Sequence, residues 1–222
     1  MRKPGLAIAT AIGVAILFAL GWWQKERLEW KRGIIAETEA ASTGPPFTSL
    51  QEVQRALDAG EPVDFRRAAL PAERIADAPV FRVYRPSSGA IRWELFTPVR
   101  SGTGMVFAGL GTVADGEVPE VVDVPERLFG HIRLNRGRVR GELSPNPEAN
   151  RYYGFDPDRL WSEAVPEADT RVWLDADSGY TDAGSIPVRV PELSNRHFEY
   201  MLTWWSFAVV LLVISAILYR RE

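Results

Sequence analysis

The sequence has no cysteine among its 222 residues, which excludes disulfides, thiolate nucleophiles, zinc-thiolate sites, iron-sulfur clusters and Cys-type copper carriers together. Histidine is almost as scarce. His131 and His197 stand far apart, so no paired-His motif for zinc or a di-copper site is built locally. Met1, Met105 and Met201 are the only methionines, and no copper or zinc site is expected. No Gly-x-Ser-x-Gly elbow and no phosphate-binding glycine loop with lysine occurs. Catalysis therefore has no visible owner, and the chain reads as a non-enzyme. An acid pair assembled by the fold stays open at this level.

Long apolar runs are what the chain does have. Pro4 to Trp23 and Tyr200 to Tyr219 each contain no Asp, Glu, Lys or Arg, and each is long enough as a helix to cross about 30 Å of hydrocarbon. Their apolar residues surround every face instead of forming one stripe. Trp22 and Trp23 close the first run, Tyr200, Trp204 and Trp205 open the second, and Tyr219 closes it, as expected of rings that favour the headgroup level. Two spans put both termini on one side. Arg2, Lys3, Arg220 and Arg221 occupy the short tails, so the positive-inside rule makes both tails cytoplasmic. Lys25, Arg27, Lys31 and Arg32 argue the other way, but they belong to a long translocated segment, where the rule weakens. A cleaved signal peptide is the rival reading of the first run, with Ala19-Leu20-Gly21 as its small-residue site.

The expected organisation is a cytoplasmic tail (1–3), a span (4–23), an extracytoplasmic domain (24–199), a second span (200–219) and a tail (220–222). The fold class is an α+β membrane protein, a mainly antiparallel β domain with two or three helices between two transmembrane helices. The body holds 22 of the 26 basic residues and 28 of the 29 acidic ones. A negative domain without a basic run excludes an electrostatic grip on nucleic acid. Ala7, Ala11, Ala15 and Ala19 recur every four residues, a ridge on which another helix, the second span or a separate protein, could pack closely; alanine is also simply common.

Within the body, Gln24 to about Ala41 continues helical, and Gly44-Pro45-Pro46 breaks it. Ser49 and Glu52 predict a capping box, a short helix to Ala59 and a stop at Gly60. Strands are predicted at Val63 to Arg67, Val80 to Arg85, Ile91 to Val99, Met105 to Leu110, Val121 to Val124, Ile132 to Leu143, Val172 to Asp175 and Pro187 to Val190, arranged as an antiparallel meander. Asp156 before Pro157 predicts a helix to about Val165. Asp175-Ala176-Asp177-Ser178-Gly179 superficially resembles a calcium loop, but the glycine is one place early and Ile186 stands where a bidentate Glu is needed. It reads as a polar turn. His131 reads as a strand or loop residue without a cofactor.

Chemistry concentrates where the two runs meet the body. His197, Tyr200, Met201, Trp204 and Ala208 share one helical face by their spacing of three and four. At the matching depth of the first run stand Trp23, Gln24, Arg27, Trp30 and Lys31. An imidazole, aromatic faces and cationic groups would suit a flat metalloporphyrin through axial ligation, stacking and pairing with propionates. An interfacial aromatic belt with solvated charges accounts for the same residues.

Leu20-Gly21-Trp22-Trp23-Gln24-Lys25-Glu26-Arg27-Leu28-Glu29-Trp30-Lys31 closely resembles the end of the first span in the Surfeit locus protein family of cytochrome c oxidase assembly factors. That family's pattern there is Leu-Gly-x-Trp-Gln-x-x-Arg-Leu-x-Trp-Lys. Asn195-Arg196-His197-Phe198-Glu199-Tyr200-Met201-Leu202-Thr203-Trp204-Trp205 is similar to the family's Asn-Asn-His-Leu-x-Tyr-x-x-Thr-Trp-Phe. Pro45 to Phe65 and Tyr152 to Val165 also resemble family counterparts. The family's Asn-Arg-Gly-Trp-Val stretch after its central strand appears here only as Ala108-Gly109-Leu110-Gly111-Thr112-Val113, and Arg196 replaces an asparagine, which suggests a divergent branch.

The resemblance implies assembly of a heme-copper oxidase, with heme a held or positioned for insertion into the catalytic subunit. The implied partners are that subunit, the enzymes of heme a biosynthesis and membrane lipid. His197 inherits the axial, metal-ligating role; Tyr200, Trp204, Trp23 and Arg27 are added to the cofactor site by position. A first span beginning within five residues of the start leaves no room for an organelle presequence, so a bacterial cytoplasmic membrane is expected.

Overall fold

A computed structural model describes residues 4–85, 90–117, 122–137, 143–155, 165–176, 182–190 and 196–220. It divides into two compact units, one of Met1–Glu37 with Pro191–Glu222 and the other of Thr38–Val190.

The first unit is a pair of helices. α1 (Pro4–Thr43) and α3 (His197–Arg220) are both long and apolar enough to cross a membrane. They run antiparallel, because partners ascend on one helix as they descend on the other: Thr10 with Ser215, Gly13 with Leu211, Gly21 with Trp205, Gln24 with His197. Gly13 and Gly21 permit this approach. A Cβ on Gly13 would stand 2.8 Å from the Leu211 side chain, and one on Gly21 would enter the Trp205 indole. Phe18 stacks on Trp205 at 5.9 Å between centroids. Ala7, Ala11, Ala15 and Ala19 are all exposed, so α3 is not what the alanine ridge meets. Beyond its apolar stretch α1 is held by local pairs, Trp22 Nε1–H donating to Glu26 and Lys25 pairing with Glu29 at 2.8 Å, the i,i+4 spacing that supports an exposed helix.

Among its described residues the second unit holds a seven-stranded sheet and, besides the end of α1, one helix. Its strands are β1 (Arg67–Pro71), β2 (Glu73–Arg74), β3 (Phe81–Arg85), β4 (Arg92–Ser101), β5 (Gly104–Ala114), β6 (Arg127–Leu134) and β7 (Ala168–Ala176). The order is β1-β6-β7-β5-β4, with β2 and β3 on opposite ends of the far edge of β4. One face buries Leu70, Val99, Val106, Ile132, Val172 and Leu174 under α2 (Leu50–Asp58), whose own inward stripe is Leu50, Val53 and Ala56. The other face carries an aromatic cluster around Phe81, Phe96, Phe107 and Tyr152.

Several expectations are corrected. The meander holds only for β3-β4-β5, since β7 lies parallel to β5 and separates it from β6. Val63 to Arg67 is not a strand: Phe65 takes a positive φ of 65°, and β1 begins at Arg67. Val122 to Val124 and Pro187 to Val190 are irregular, and β6 begins at Arg127, before Ile132. The strand expected at Met105 to Leu110 runs on through Val113 to Ala114 as β5. Ser49 caps α2 by accepting from Glu52 N–H, but the Glu52 carboxylate accepts from Thr48 N–H at 2.7 Å, one residue upstream of a simple box. The helix expected from Asp156 lies, but for Val165, outside the described residues, as do Asp177 to Gly179.

Candidate functional site

His197 opens α3 and Gln24 sits on the inward stripe of α1, flanked one turn away by buried Gly21 and Leu28. His197 Nδ1 and Gln24 Oε1 are 2.6 Å apart. A carboxamide oxygen only accepts, so the imidazole donates through Nδ1–H. Gln24 is 9% exposed and Met201, one turn beyond His197, is 8% exposed; His197 itself is half-buried.

The other sequence-derived residues fall around this pair. Trp23 and Tyr200 are 50% and 51% exposed. Arg27 turns to its own helix, its guanidinium 6.0 Å from the Trp23 ring and 4.8 Å from the Trp30 ring, within cation-π range. Trp204 is half-buried and meets Phe207 edge-on at 6.2 Å. His197 and Gln24 are thus brought together directly. Trp23, Arg27 and Trp30 form a neighbouring stripe on α1, while Tyr200 and Trp204 lie one and two turns beyond His197 on α3.

An imidazole with one nitrogen engaged, exposed rings and a guanidinium at the end of an apolar helix pair fit the amphiphilic porphyrin expected from the sequence. The donor set is a single nitrogen ligand, which suits axial ligation and not a chelated ion. Among the described residues, no group of three or more His, Asp or Glu is placed to hold a metal ion.

The sheet contains a polar cluster that sequence reading missed. Asp175, the last residue of the strand predicted at Val172 to Asp175, is buried in β7; Arg189 donates to it at 2.6 Å, with Arg85 and Arg133 each 3.9 Å away. Glu94 in β4 receives Arg85 at 2.5 Å. Burial holds the Glu94 carboxyl above its ordinary pKa despite Arg85, and nearby Asp175 adds to the rise. His131 is wholly buried in β6, its Nε2–H directed at the Pro187 carbonyl at 2.9 Å. Burial lowers its pKa and favours the neutral ring. Gly109 leaves the space Glu94 occupies, since a Cβ there would stand 2.6 Å from Glu94 Oε1. The signal that could have found this cluster was a glutamate in an otherwise apolar strand run, Trp93-Glu94-Leu95-Phe96.

The sequence model of the SURF1 family matches residues 11–209, taking in most of α1, the sheet and the first half of α3. A SURF1-like protein of Monosiga brevicollis is 25% identical, covering 99% of this chain and 90% of that one. A SURF1-like protein of Rickettsia felis is 23% identical over 97% of this chain and 96% of its own length. Surfeit locus protein 1 of Xenopus tropicalis is 26% identical over 85% of this chain and 67% of its own. The chain belongs to the SURF1 family, known as cytochrome oxidase assembly factors.

Proposed function

We propose that the protein binds heme a transiently at the His197 end of the helix pair and positions it for insertion into the catalytic subunit of a heme-copper oxidase. The observation that carries this reading is the His197–Gln24 pair at 2.6 Å, which leaves one imidazole nitrogen for iron beside exposed aromatic faces. Heme a would bring an iron able to take a nitrogen ligand and two anionic propionates. His197 would hold the iron through its remaining nitrogen, Trp23, Trp204 and Tyr200 would offer ring faces, and Arg27 would pair with a propionate. One-sided ligation at an open surface allows release, which delivery requires.

In this reading both tails are cytoplasmic, residues 24–199 lie outside a bacterial cytoplasmic membrane, and the first span is retained. Its packing on α3 through Gly13 and Gly21 supports retention, since a cleaved leader needs no such complementarity. The partners are the oxidase catalytic subunit and heme a biosynthesis enzymes. The test is the absorbance spectrum of protein purified from cells making heme a, compared with His197→Ala. The expected result is a bound-heme Soret band that His197→Ala loses while its oxidase subunit still co-purifies. Absence of heme from the wild type, with unchanged oxidase heme content on deletion of the gene, overturns the reading.

A second reading, a scaffold that docks on the oxidase subunit without touching heme, is favoured by the exposed ridge of Ala7, Ala11, Ala15 and Ala19, because small residues let helices approach closely in lipid. Under it His197→Ala keeps full function, and leucine at Ala11 and Ala15 abolishes co-purification.

A further inference from the structure

Neutral histidine has one N–H and one lone pair, and which nitrogen carries which decides where a metal can bind. In water the hydrogen prefers Nε2, leaving the lone pair on Nδ1, close to the residue's own backbone and badly placed for a flat macrocycle. At His197 that preference is opposed. The acceptor-only Oε1 of Gln24 stands 2.6 Å from Nδ1, and it belongs to a side chain enclosed on the buried stripe of α1 between Gly21 and Leu28. The hydrogen is held on Nδ1, and the lone pair is placed on Nε2, at the tip of the ring.

We infer that Gln24 is a positioning residue that fixes His197 in the Nε2-ligating tautomer and sets the direction of its ring. The inference rests on the heme-binding reading above and extends it to a residue that touches neither iron nor porphyrin. Ligating histidines generally donate their second ring N–H to an oxygen, which orients the ring and tunes its donor strength. The identity of that oxygen matters. A carboxylate pulls strongly on the Nδ1 hydrogen and makes the imidazole a firmer ligand, whereas a neutral carboxamide leaves it a weaker one. Glutamine thus orients the ligand without tightening it, as a carrier that must give up its cargo requires.

The same contact assigns α1 a specific part in binding. Gln24 comes from one helix and His197 from the other, so the ligand is correctly prepared only when the two helices are paired. A protein with separated helices keeps its histidine but loses the tautomer.

The test uses the full-length, heme-free protein in detergent, labelled with 15N-histidine, at a pH above the ordinary histidine range. Only His131 and His197 contribute, and His197→Ala assigns the signals. The expected spectrum has His197 protonated on Nδ1 in the wild type and in Gln24→Glu, which keeps the acceptor oxygen, but shifted toward protonation on Nε2 in Gln24→Met. Hemin is then titrated into the same samples. Gln24→Met should bind about 10-fold or more weakly; Gln24→Glu should bind at least as tightly as the wild type, release hemin more slowly to apomyoglobin, and show a higher iron-histidine stretching frequency in the ferrous form. A merely structural glutamine would leave the tautomer alone and make both variants equally weak.

Protonation of His197 on Nε2 in the wild type, or a tautomer indifferent to Gln24→Met, overturns the positioning role even if hemin binds. Conversely, the expected tautomer with no hemin binding overturns the functional reading, and the positioning role falls with it.

Discussion

Thr10 Oγ1 and Ser215 Oγ lie 2.8 Å apart, a hydroxyl pair joining α1 to α3 within otherwise apolar stretches. Along α1 it stands 14 positions, about 21 Å of helix, from the contact of Gln24 with His197. In lipid no apolar driving force draws helices together, so such polar bonds and close packing at small residues carry the association.

This geometry is open to direct measurement because the chain has no cysteine to remove. Thr10→Cys combined with Ser215→Cys should form an intramolecular disulfide readily under mild oxidation, since the hydroxyl positions already approach within bonding reach of two sulfurs. Thr10→Cys with Leu212→Cys should not, because Leu212 is 49% exposed on another face of α3. Intact mass after alkylation distinguishes the two. Equal bridging in both would refute the antiparallel register.

Gly21→Ala should weaken the helix pair by about 1–3 kcal/mol, the usual cost of overpacking. Its new methyl meets the Trp205 indole, a rigid ring stacked on Phe18. Gly33→Ala meets nothing within 4 Å and should be neutral or slightly stabilising through helix propensity. Thermal melting of the two variants in one detergent provides the comparison.

Two carboxylates in the sheet unit should make opposite contributions to acid stability. At Asp169, burial pushes the pKa up but is outweighed by hydrogen bonds from Arg171 and Gln54, leaving the group below the ordinary value. A lowered pKa contributes stability that is present above the unfolded value and lost as pH falls through the folded one. Asp169→Asn should therefore cost about 1–3 kcal/mol at neutral pH and converge with the wild type in acid. Glu94 is raised by burial, so its contribution is lost as pH rises through the folded value. Glu94→Gln should flatten that decline. Denaturant unfolding at a series of pH values measures both slopes.

The helices and the family were legible because each rests on local pattern. Charge-free runs ending in indoles specify α1 and α3, and the residues around Gln24 and His197 carry the resemblance in short contiguous motifs. Strands β3, β4 and β5 were legible for a similar reason, being bounded by turn residues at Gly102 and Gly116, both at positive φ. The neighbour of β7 was not, because nothing within Val172 to Asp175 states whether it pairs with β6 alone or also inserts beside β5. Asp175 falls within the strand predicted at Val172 to Asp175, but its ionic role was hidden for the same cause. Its arginine partners at positions 85, 133 and 189 are scattered along the chain, so a buried ionic cluster looks locally like turn polarity. Gln24 was noticed only as a residue between Trp23 and Arg27, since the hydrogen bond that gives it a role spans 173 positions.

The place of β7 also constrains how the protein is made. It is the last strand among the described residues, and it joins the β1-β6 ribbon to the β2-β3-β4-β5 group. Until Ala168 to Ala176 has been synthesised, the two partial sheets have facing raw edges and no common strand, and the non-local pairing needed to close them is slow by nature. The keystone arrives only some twenty residues ahead of α3, so the sheet cannot close until nearly all of the chain has been made.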